Sequence, residues 1–259
     1  MTKITIDLNK SIEENASIYF DKAKKQKRKL EGAKVALETS LKKLRKLERQ
    51  KEFEVKEKEV ERVERKKKWY EKFRWFITSN RMLAIGGRDA TTNEIVIKKH
   101  TDANDIVFHT DMAGSPFFVL KTEGKKADEE ILKEVADATC TFSRAWKLGL
   151  LTQSVFYVKP EQVTKEAKPG EYLTKGAFMI KGKTNYIQNE INLAVGITQE
   201  GAIMAGPLNA VNKNCKKFVI VEQGNEKTSA VAKKIQKKLG GDLDEIIRAL
   251  PAGGCRVIA

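Results

Sequence analysis

The sequence predicts an α+β protein, with a long N-terminal coiled-coil helix followed by a compact mixed α/β domain that has a largely antiparallel sheet. Three observations support this prediction. Residues 1–68 contain no proline and one glycine, and they are rich in strong helix formers. From Trp69 onward, short apolar segments alternate with glycine-containing turns, which is typical of strands. An amphipathic stretch at 127–148 and a basic stretch at 228–239, which Gly240 and Gly241 close, predict helices.

The N-terminal helix is predicted from its start signal and its heptad spacing. Ser11 stands three residues before Glu14, as in a capping box, so the helix should begin at residue 12 and extend to the region of Phe76. After Gln50 the apolar pattern shifts by two residues, which indicates either a discontinuity or a turn back. The predicted seam consists of Ala16, Ala23, Leu30, Leu37 and Leu44, with Tyr19, Gln26, Ala33, Ser40 and Leu47 three residues on. This seam needs a partner helix, which could lie elsewhere in this chain, in a second copy or in a segment outside this sequence. For this chain by itself we expect a homodimer through the coiled coil.

The net charge predicts a polyanionic partner. The chain carries 50 Lys+Arg and 35 Asp+Glu, a formal net charge of +15. Residues 1–68 hold 22 basic and 13 acidic residues, a net +9, and the rest hold 28 and 22, a net +6. RNA, DNA and an anionic membrane surface all remain open at this stage. The basic runs Lys22–Lys29 and Arg65–Lys68 are either solvated helix faces or phosphate contacts.

Other features of composition narrow the class of protein. No apolar run is long enough to span a membrane, and no signal peptide follows Met1, so we expect a cytoplasmic protein. The predicted N-terminal helix has an apolar seam but no broad apolar face that could lie in a lipid surface, so we expect no membrane partner. Three widely spaced cysteines argue against a disulfide framework. The sequence predicts three segments: a coiled-coil arm at 1–76, a core at 77–200, and a C-terminal α/β extension at 201–259.

The remaining elements of the compact domain follow from β-rich and amphipathic segments. A turn is predicted at 168–171, and a run of five aromatics within 69–76 either anchors the helix to a core or stacks on bases. The first four strands are expected to form an antiparallel meander. The predicted strands are 82–85, 94–99, 106–109, 117–121, 154–158, 177–181, 186–195, 218–222 and 255–258, and a short helix is predicted at 243–250.

Three stretches carry candidate binding residues. In the first, Gly86 and Gly87 let the backbone approach an anion that Arg88 also binds; alternatively Asp89 caps a tight hairpin. In the second, His109 and Asp111 form an acid–base pair or a structural hydrogen bond at a strand end. In the third, lysines on a strand edge contact phosphates or guard that edge against pairing. The candidates for nucleic-acid binding are Gly86, Gly87, Arg88, Asp89, Asn93, His109, Asp111, Lys175, Lys181 and Lys183.

Motifs for several enzyme classes are missing from the sequence. His100 and His109 are the only histidines, and neither stands at a zinc-ligand spacing from another histidine or a cysteine. No phosphate-binding loop, dinucleotide fingerprint or nucleophile elbow occurs. We therefore expect neither a metal nor a cofactor and no enzyme. A carboxylate-based nuclease that uses Asp89, His109 and Asp111 stays open as an alternative.

Four motifs follow one another along the chain. They are Trp69-Tyr70-Glu71-Lys72-Phe73-Arg74-Trp75-Phe76, Gly86-Gly87-Arg88-Asp89-Ala90-x-x-Asn93-Glu94, His109-Thr110-Asp111-x-x-Gly114-Ser115 and Gly170-Glu171-Tyr172-Leu173-x-x-Gly176-x-Phe178-x-Ile180-x-Gly182-Lys183. In this order they resemble the NFACT-R domain of the NEMF, Caliban and fibronectin-binding-protein-A family of ribosome-associated quality-control factors. Residues 8–29 are also similar to the entry into that family's coiled coil.

The resemblance implies a non-enzymatic RNA-binding module. It would bind the large ribosomal subunit that carries a stalled peptidyl-tRNA, with tRNA and ribosomal RNA as partners, and help to recruit tRNA for C-terminal tailing of the nascent chain. Because family members carry further N-terminal domains, we expect a C-terminal fragment, and the ending at 246–254 resembles archaeal members. The alternative that the family name suggests is a fibronectin- or fibrinogen-binding surface protein.

Overall fold

The computed structural model describes residues 4–61, 65–166 and 172–258, and the chain divides into two compact units between residues 64 and 65. The predicted turn at 168–171 lies outside the described residues. None of the helices within the described ranges is both long and apolar enough to cross a bilayer. The three predicted domain boundaries stay a prediction.

The first unit is a single helix, α1 (Ile12–Glu61), of 50 residues. Its predicted start is confirmed, because the amide of Glu14 donates to Ser11 Oγ at 3.1 Å and the amide of Ser11 donates to Glu14 Oε2 at 2.8 Å. The helix runs through Gln50 without turning back. The predicted extension to Phe76 is wrong, since Arg74 already lies in a strand of the second unit.

The N-terminal segment folds back on the start of α1 and hides little of its seam. The amide of Asp7 donates to Asn15 Oδ1 at 2.9 Å, and the hydroxyl of Tyr19 donates to the carbonyl oxygen of Thr5 at 2.7 Å. Farther along α1, the apolar seam side chains are more than half exposed. They are Leu30 (57%), Leu37 (62%), Leu44 (52%) and Leu47 (57%).

The second unit contains three antiparallel sheets and six helices in its described residues. Its helices are α2 (Ala90–Lys99), α3 (Glu129–Thr141), α4 (Arg144–Leu148), α5 (Leu208–Asn214), α6 (Thr228–Leu239) and α7 (Leu243–Ala249). Its strands are β1 (Arg74–Ile77), β2 (Leu83–Gly86), β3 (Ile106–Thr110), β4 (Phe118–Lys121), β5 (Val155–Val158), β6 (Val163–Thr164), β7 (Met179–Ile180), β8 (Asn185–Ile187), β9 (Ala194–Thr198), β10 (Ile203–Gly206), β11 (Cys215–Glu226) and β12 (Cys255–Val257). The predicted α+β class with a largely antiparallel sheet is confirmed.

The sheets share one core. The first has the strand order β1-β2-β4-β3-β5-β8, the second β10-β9-β11-β12, and β6 pairs with β7 in the third. Helix α3 covers the first sheet, α5 and α6 cover the second, and β1 packs on β10. Trp146, Phe73, Phe76 and Phe118 are among the largest fully buried side chains. The aromatic run therefore supplies core residues, although Trp69 remains 48% exposed.

Several predicted elements are wrong in detail. Residues 94–99, predicted as a strand, belong to α2, and the expected meander is replaced by an order in which β4 lies between β2 and β3. The single helix predicted at 127–148 breaks where Ser143 Oγ accepts the amide of Ala145 at 3.0 Å. The strand predicted at 186–195 becomes β8 and β9, which belong to different sheets. Strands β1 and β10 and helix α5 were not predicted.

The remaining strands and helices predicted for the second unit are present, most of them with shifted ends. All three cysteines are free thiols.

The basic run at 65–68 is not a solvated helix face, because three of its four side chains form ion pairs. Arg65 pairs with Glu71 at 2.6 Å, Lys67 with Glu245 at 2.7 Å, and Lys68 with Glu200 at 2.7 Å.

Candidate nucleic-acid interface

The paired glycines stand at the junction between β2 and α2, where the backbone approaches other side chains closely. A Cβ on Gly86 would lie 2.7 Å from the ring of Phe118, and a Cβ on Gly87 would lie 1.9 Å from Asn93 Oδ1. Both glycines are thus required by packing within the protein. The alternative of a tight hairpin is wrong, because the chain enters a helix here, and Asp89 caps the start of that helix.

The backbone amides of this junction already have partners. The amide of Gly87 donates to the carbonyl oxygen of Phe117 at 3.2 Å, and the amides of Arg88 and Asp89 donate to Thr92 Oγ1 at 2.8 and 2.9 Å. In return, Asp89 Oδ1 accepts the amide of Thr92 at 2.8 Å, and this hydrogen bond holds the pKa of Asp89 below its usual value. These three amides are therefore not available to an anion, and the side chain of Arg88 is the group that can bind one.

The side-chain amide of Asn93 joins α2 to the loop that follows β3. Its Oδ1 accepts the backbone amide of Phe117 at 3.1 Å, and its Nδ2 donates to the carbonyl oxygen of Ser115 at 3.4 Å. The hydroxyls of Ser115 and Thr110 form a further hydrogen bond at the base of the same loop. Asn93 thus holds the loop in position.

His109 presents a neutral, stacked imidazole to this loop. Its ring lies parallel to that of Phe117, with 4.0 Å between the centroids, and meets Phe156 edge-on at 6.2 Å. Burial lowers the pKa of His109 to about 4, although two backbone hydrogen bonds and the charge of Asp111 act in the opposite direction. At neutral pH the side chain is therefore an uncharged aromatic surface.

A cavity of about 370 Å³ brings most of the candidate residues together. It lies between the start of α2, the loop after β3, and the segment 174–178, which closes its far side. Gly176, at a φ of +80°, fits tightly here, because a Cβ would lie 2.5 Å from Ala90 Cα. Six of the ten candidates line the cavity, and they are Gly87, Arg88, Asp89, Asn93, His109 and Lys175.

The guanidinium of Arg88 forms part of the cavity wall together with Arg74, which the sequence did not single out. Arg88 Nη2 donates to the carbonyl oxygen of Phe73 at 2.9 Å, while its Nε is buried without a hydrogen-bond partner in the described part of the chain. Arg74 lies 4.3 Å above the ring of Phe142, and Nη1 donates to the carbonyl oxygen of Leu250 at 3.3 Å. With Lys175 and Asp89, the cavity lining carries three positive charges and one negative charge.

The other four candidates lie outside this cavity. Gly86 is buried against Phe118. Asp111 is exposed and accepts the hydroxyl of Tyr186 at 3.3 Å, so it forms no hydrogen-bonded pair with His109. Lys181 and Lys183 follow the end of β7 rather than share one strand face, and Lys181 pairs with Glu166. A nucleic-acid role of the ten candidates stays a prediction.

The nuclease alternative lacks a metal centre among the residues that the structure describes, where no three His, Cys, Asp or Glu side chains converge. Asp89 serves as a helix cap, and Asp111 does not line the cavity that Asp89 and His109 share. The sequence could have indicated Arg74, because it lies within an aromatic run. Phe178 and Ser115 also line the cavity, and both stand in the quoted motifs, but neither is among the ten candidates.

One protein family and several curated proteins are similar in sequence to this chain. Residues 72–182 match a family described as the NFACT protein RNA binding domain. The archaeal Rqc2 homolog aRqcH of Methanocaldococcus jannaschii is 44% identical over 204 residues, which make up 76% of this chain and 30% of that protein. The human ribosome quality control complex subunit NEMF is 37% identical over 174 residues, 67% of this chain and 16% of that protein.

Among solved structures, the C-terminal part of the fibronectin/fibrinogen-binding protein of Streptococcus suis is 17% identical and covers 45% of each chain with a TM-score of 0.38, which does not establish a shared fold. The chain spans less than a third of the length of the curated relatives that are described above. The resemblance that the four sequence motifs indicate is confirmed by the matching domain and by these relatives. The chain therefore belongs to the Rqc2/NEMF family, whose NFACT RNA-binding domain it contains at residues 72–182.

Proposed function

We propose that this chain is an RNA-binding module of a ribosome quality control factor. In this role it binds the large ribosomal subunit that carries a stalled peptidyl-tRNA and helps to recruit tRNA for C-terminal tailing of the nascent chain. The chain acts by binding and positioning RNA and needs neither cofactor nor metal. The match to the NFACT RNA-binding domain and the names of the relatives support this proposal.

One observation carries the proposal to particular residues: a cationic cavity with aromatic walls lies within the matched region. Arg88 and Lys175 supply positive charge, and the half-buried imidazole of His109, which stacks on the buried ring of Phe117, offers an uncharged aromatic surface. Phosphates bind arginine and lysine side chains, while bases stack on aromatic rings. The cavity therefore offers a nucleotide both kinds of contact.

Helix α1 adds a second basic surface. Lys22, Lys24, Lys25, Lys27, Arg28 and Lys29 crowd one short stretch of it, and all are exposed. We propose that this stretch contacts phosphates, and that the exposed seam leucines of α1 pair two copies of the chain.

Salt-dependent binding tests the proposal. Purified protein is titrated with tRNA, a ribosomal RNA fragment and double-stranded DNA at several salt concentrations. The logarithm of the affinity for RNA should fall linearly with the logarithm of the salt concentration, because every phosphate contact releases counterions. RNA should bind more tightly than DNA at the same salt. Equal binding of all three, or RNA binding without a salt slope, contradicts the proposal.

A pair of exposed lysines supplies a matched comparison. Lys175→Gln, in the cavity, should lower the affinity for RNA about threefold to tenfold. Lys147→Gln, an exposed lysine outside the cavity, should leave it unchanged. Equal effects of the two variants would remove the cavity from the proposal. Tight binding of fibronectin that persists at high salt, in the absence of RNA binding, would favour the surface-protein alternative.

A further inference from the structure

A second cavity lies on the other side of the wall that Arg74, Arg88 and Phe142 form. Its volume is about 320 Å³, close to the lower end of the range for small-ligand sites. The turn at Trp69–Lys72 and the start of β1 form one side, and β10 and α7 form the other. Arg88 thus lies between two cavities, and the proposed function uses only the first.

The carboxylates of this second cavity are already neutralised. Glu71 receives two hydrogen bonds of 2.6 Å from Arg65, and Glu245 lies 2.7 Å from Lys67 Nζ and 3.6 Å from Arg65 Nη2. Lys68, which also lines the cavity, pairs with Glu200 at 2.7 Å. The carboxylates of Glu71 and Glu245 are therefore already paired with Arg65 and Lys67, and they do not neutralise the other cations that line the cavity.

Four cations of the lining have no carboxylate within 4.0 Å among the described residues: Lys72, Arg74, Arg88 and Arg248. The half-buried guanidiniums of Arg74 and Arg88 each donate one hydrogen bond to a carbonyl oxygen. Their other N–H groups, which include the buried Nε of Arg88, have no hydrogen-bond acceptor within the described part of the chain. Burial and the charge of Arg88 lower the pKa of Arg74 to about 9, and burial and the charge of Arg248 lower that of Arg88. Like charges are thus held together, and an anion would relieve their repulsion.

An aromatic surface stands beside this cationic group. The indole of Trp69 lines the cavity and stacks on His100, with 4.5 Å between the centroids, yet 48% of its surface is exposed. The exposed indole of Trp69 and the guanidiniums of Arg74 and Arg88 line the same cavity, which suits a nucleotide. A base can stack on the indole while the phosphate binds the two arginines. A carboxylate ligand would not use the indole in this way.

We infer that this cavity binds the phosphate of one unpaired RNA nucleotide between Arg74, Arg88 and Arg248, with its base against Trp69. The inference rests on the proposed RNA-binding function and names the form of RNA that the module takes. A duplex keeps its bases paired and its phosphates on an outer ridge, so it cannot direct a single nucleotide into a crevice. A single-stranded segment or an unpaired end can do so.

The test compares the affinities of three purified variants for a single-stranded RNA of about twelve nucleotides and for the blunt duplex of the same sequence. Arg248→Gln, an exposed residue of the second cavity, should weaken binding of the single strand about fivefold to tenfold and reduce its salt slope by about one. Duplex binding should change less than twofold. Trp69→Ala should also weaken only the single strand. Arg144→Gln, an exposed arginine outside both cavities, is the matched control and should change neither affinity.

Each outcome decides the inference separately from the proposed function. Wild-type binding of RNA that Arg248→Gln and Trp69→Ala leave intact overturns the inference while the proposed function stands. Equal losses for single strand and duplex also overturn it, because the site would then be a general basic surface. Adenosine monophosphate distinguishes a free nucleotide from an RNA strand: binding as tight as that of the single strand overturns the assignment to RNA. If the protein binds neither RNA nor the monophosphate, both the proposed function and the inference fail.

Discussion

The side-chain oxygen of Asn93 accepts the backbone amide of Phe117 at 3.1 Å, and the same oxygen occupies the position that a side chain on Gly87 would need. This hydrogen bond ties the first turn of α2 to the loop after β3, and the two segments form adjacent sides of the first cavity. The shape of the cavity therefore depends on the fit between Gly87 and the side-chain amide of Asn93.

Gly87→Ala should destabilise the second unit by about 2–4 kcal/mol, because its Cβ would lie 1.9 Å from Asn93 Oδ1 and the surrounding backbone would have to move. Urea unfolding measures the change. Gly201→Ala is the control: Gly201 has a φ of +81° but no atom within 4 Å of a new Cβ, so it should cost only about 1 kcal/mol. A smaller loss for Gly87→Ala than for Gly201→Ala would contradict the packing argument.

Stability should fall as the pH is lowered from about 6.5 to 4, because burial lowers the pKa of His109 to about 4. In this interval the unfolded chain binds a proton at His109 and the folded chain does not, so the free energy of unfolding decreases as pH falls. The contribution of this residue is about 2–3 kcal/mol. His109→Phe, which keeps a ring against Phe117, should flatten the pH profile of urea unfolding in that interval.

Nuclear magnetic resonance provides an independent check of the same prediction. The imidazole carbon-bound protons of His109 should titrate near pH 4 in the folded protein. A midpoint near 6.5, or an unchanged pH profile in His109→Phe, would show that the ring is hydrated and not held between aromatic neighbours.

Parts of the fold that depend on local contacts could be predicted from the sequence, and α2 explains why others could not. The start of α1 follows from Ser11 and Glu14, three residues apart. In α2 the β-branched residues of 95–97 favour a strand, but Asp89 and Thr92 cap a helix and Val96 is buried on one face of it. Tertiary burial overrides the local preference here.

In the candidate site too, residues that are neighbours in the sequence can be predicted, and residues that only the fold brings together cannot. The residues around Gly87 stand together in one short motif, so the sequence predicts them as a group. Arg74 and Arg248 carry no common signal, because they approach Arg88 only after β1 and α7 have packed on the two sides of the second cavity. The sequence also does not reveal that the amides after Gly86 are bound within the protein.

Glu71→Gln should lower the free energy of unfolding by about 2–3 kcal/mol. Its carboxylate receives two hydrogen bonds from Arg65 and one of 2.8 Å from the amide of Lys68, and the side chain is only 8% exposed. Glu38→Gln removes an exposed partner of Lys42, at 3.8 Å, and should cost less than about 0.5 kcal/mol. Equal losses would contradict a special contribution of the buried pair.

The same pair predicts acid sensitivity. Burial is the largest single effect and acts to raise the pKa of Glu71, but the hydrogen bonds from Arg65 and the Lys68 amide, together with the charges of Arg65 and Lys67, outweigh it and keep that pKa below 4.5. The stabilisation is therefore complete above pH 4.5 and is lost as the pH falls below that value, through the lowered pKa. Glu71→Gln should show a weaker loss of stability than the wild type in this acidic range, as measured by urea unfolding at matched pH values.

Pairing of two copies through α1 can be tested with two substitutions of equal exposure. Leu37 lies on the predicted seam and is 62% exposed, whereas Val35 lies on the opposite heptad face and is 64% exposed. At micromolar concentration the wild type should sediment as a dimer, twice the chain mass of 29.2 kDa. Leu37→Glu should give a monomer, because it places a charge in the apolar seam, and Val35→Glu should remain dimeric. A monomeric wild type, or equal effects of the two substitutions, would show that the seam leucines do not join two copies of this chain.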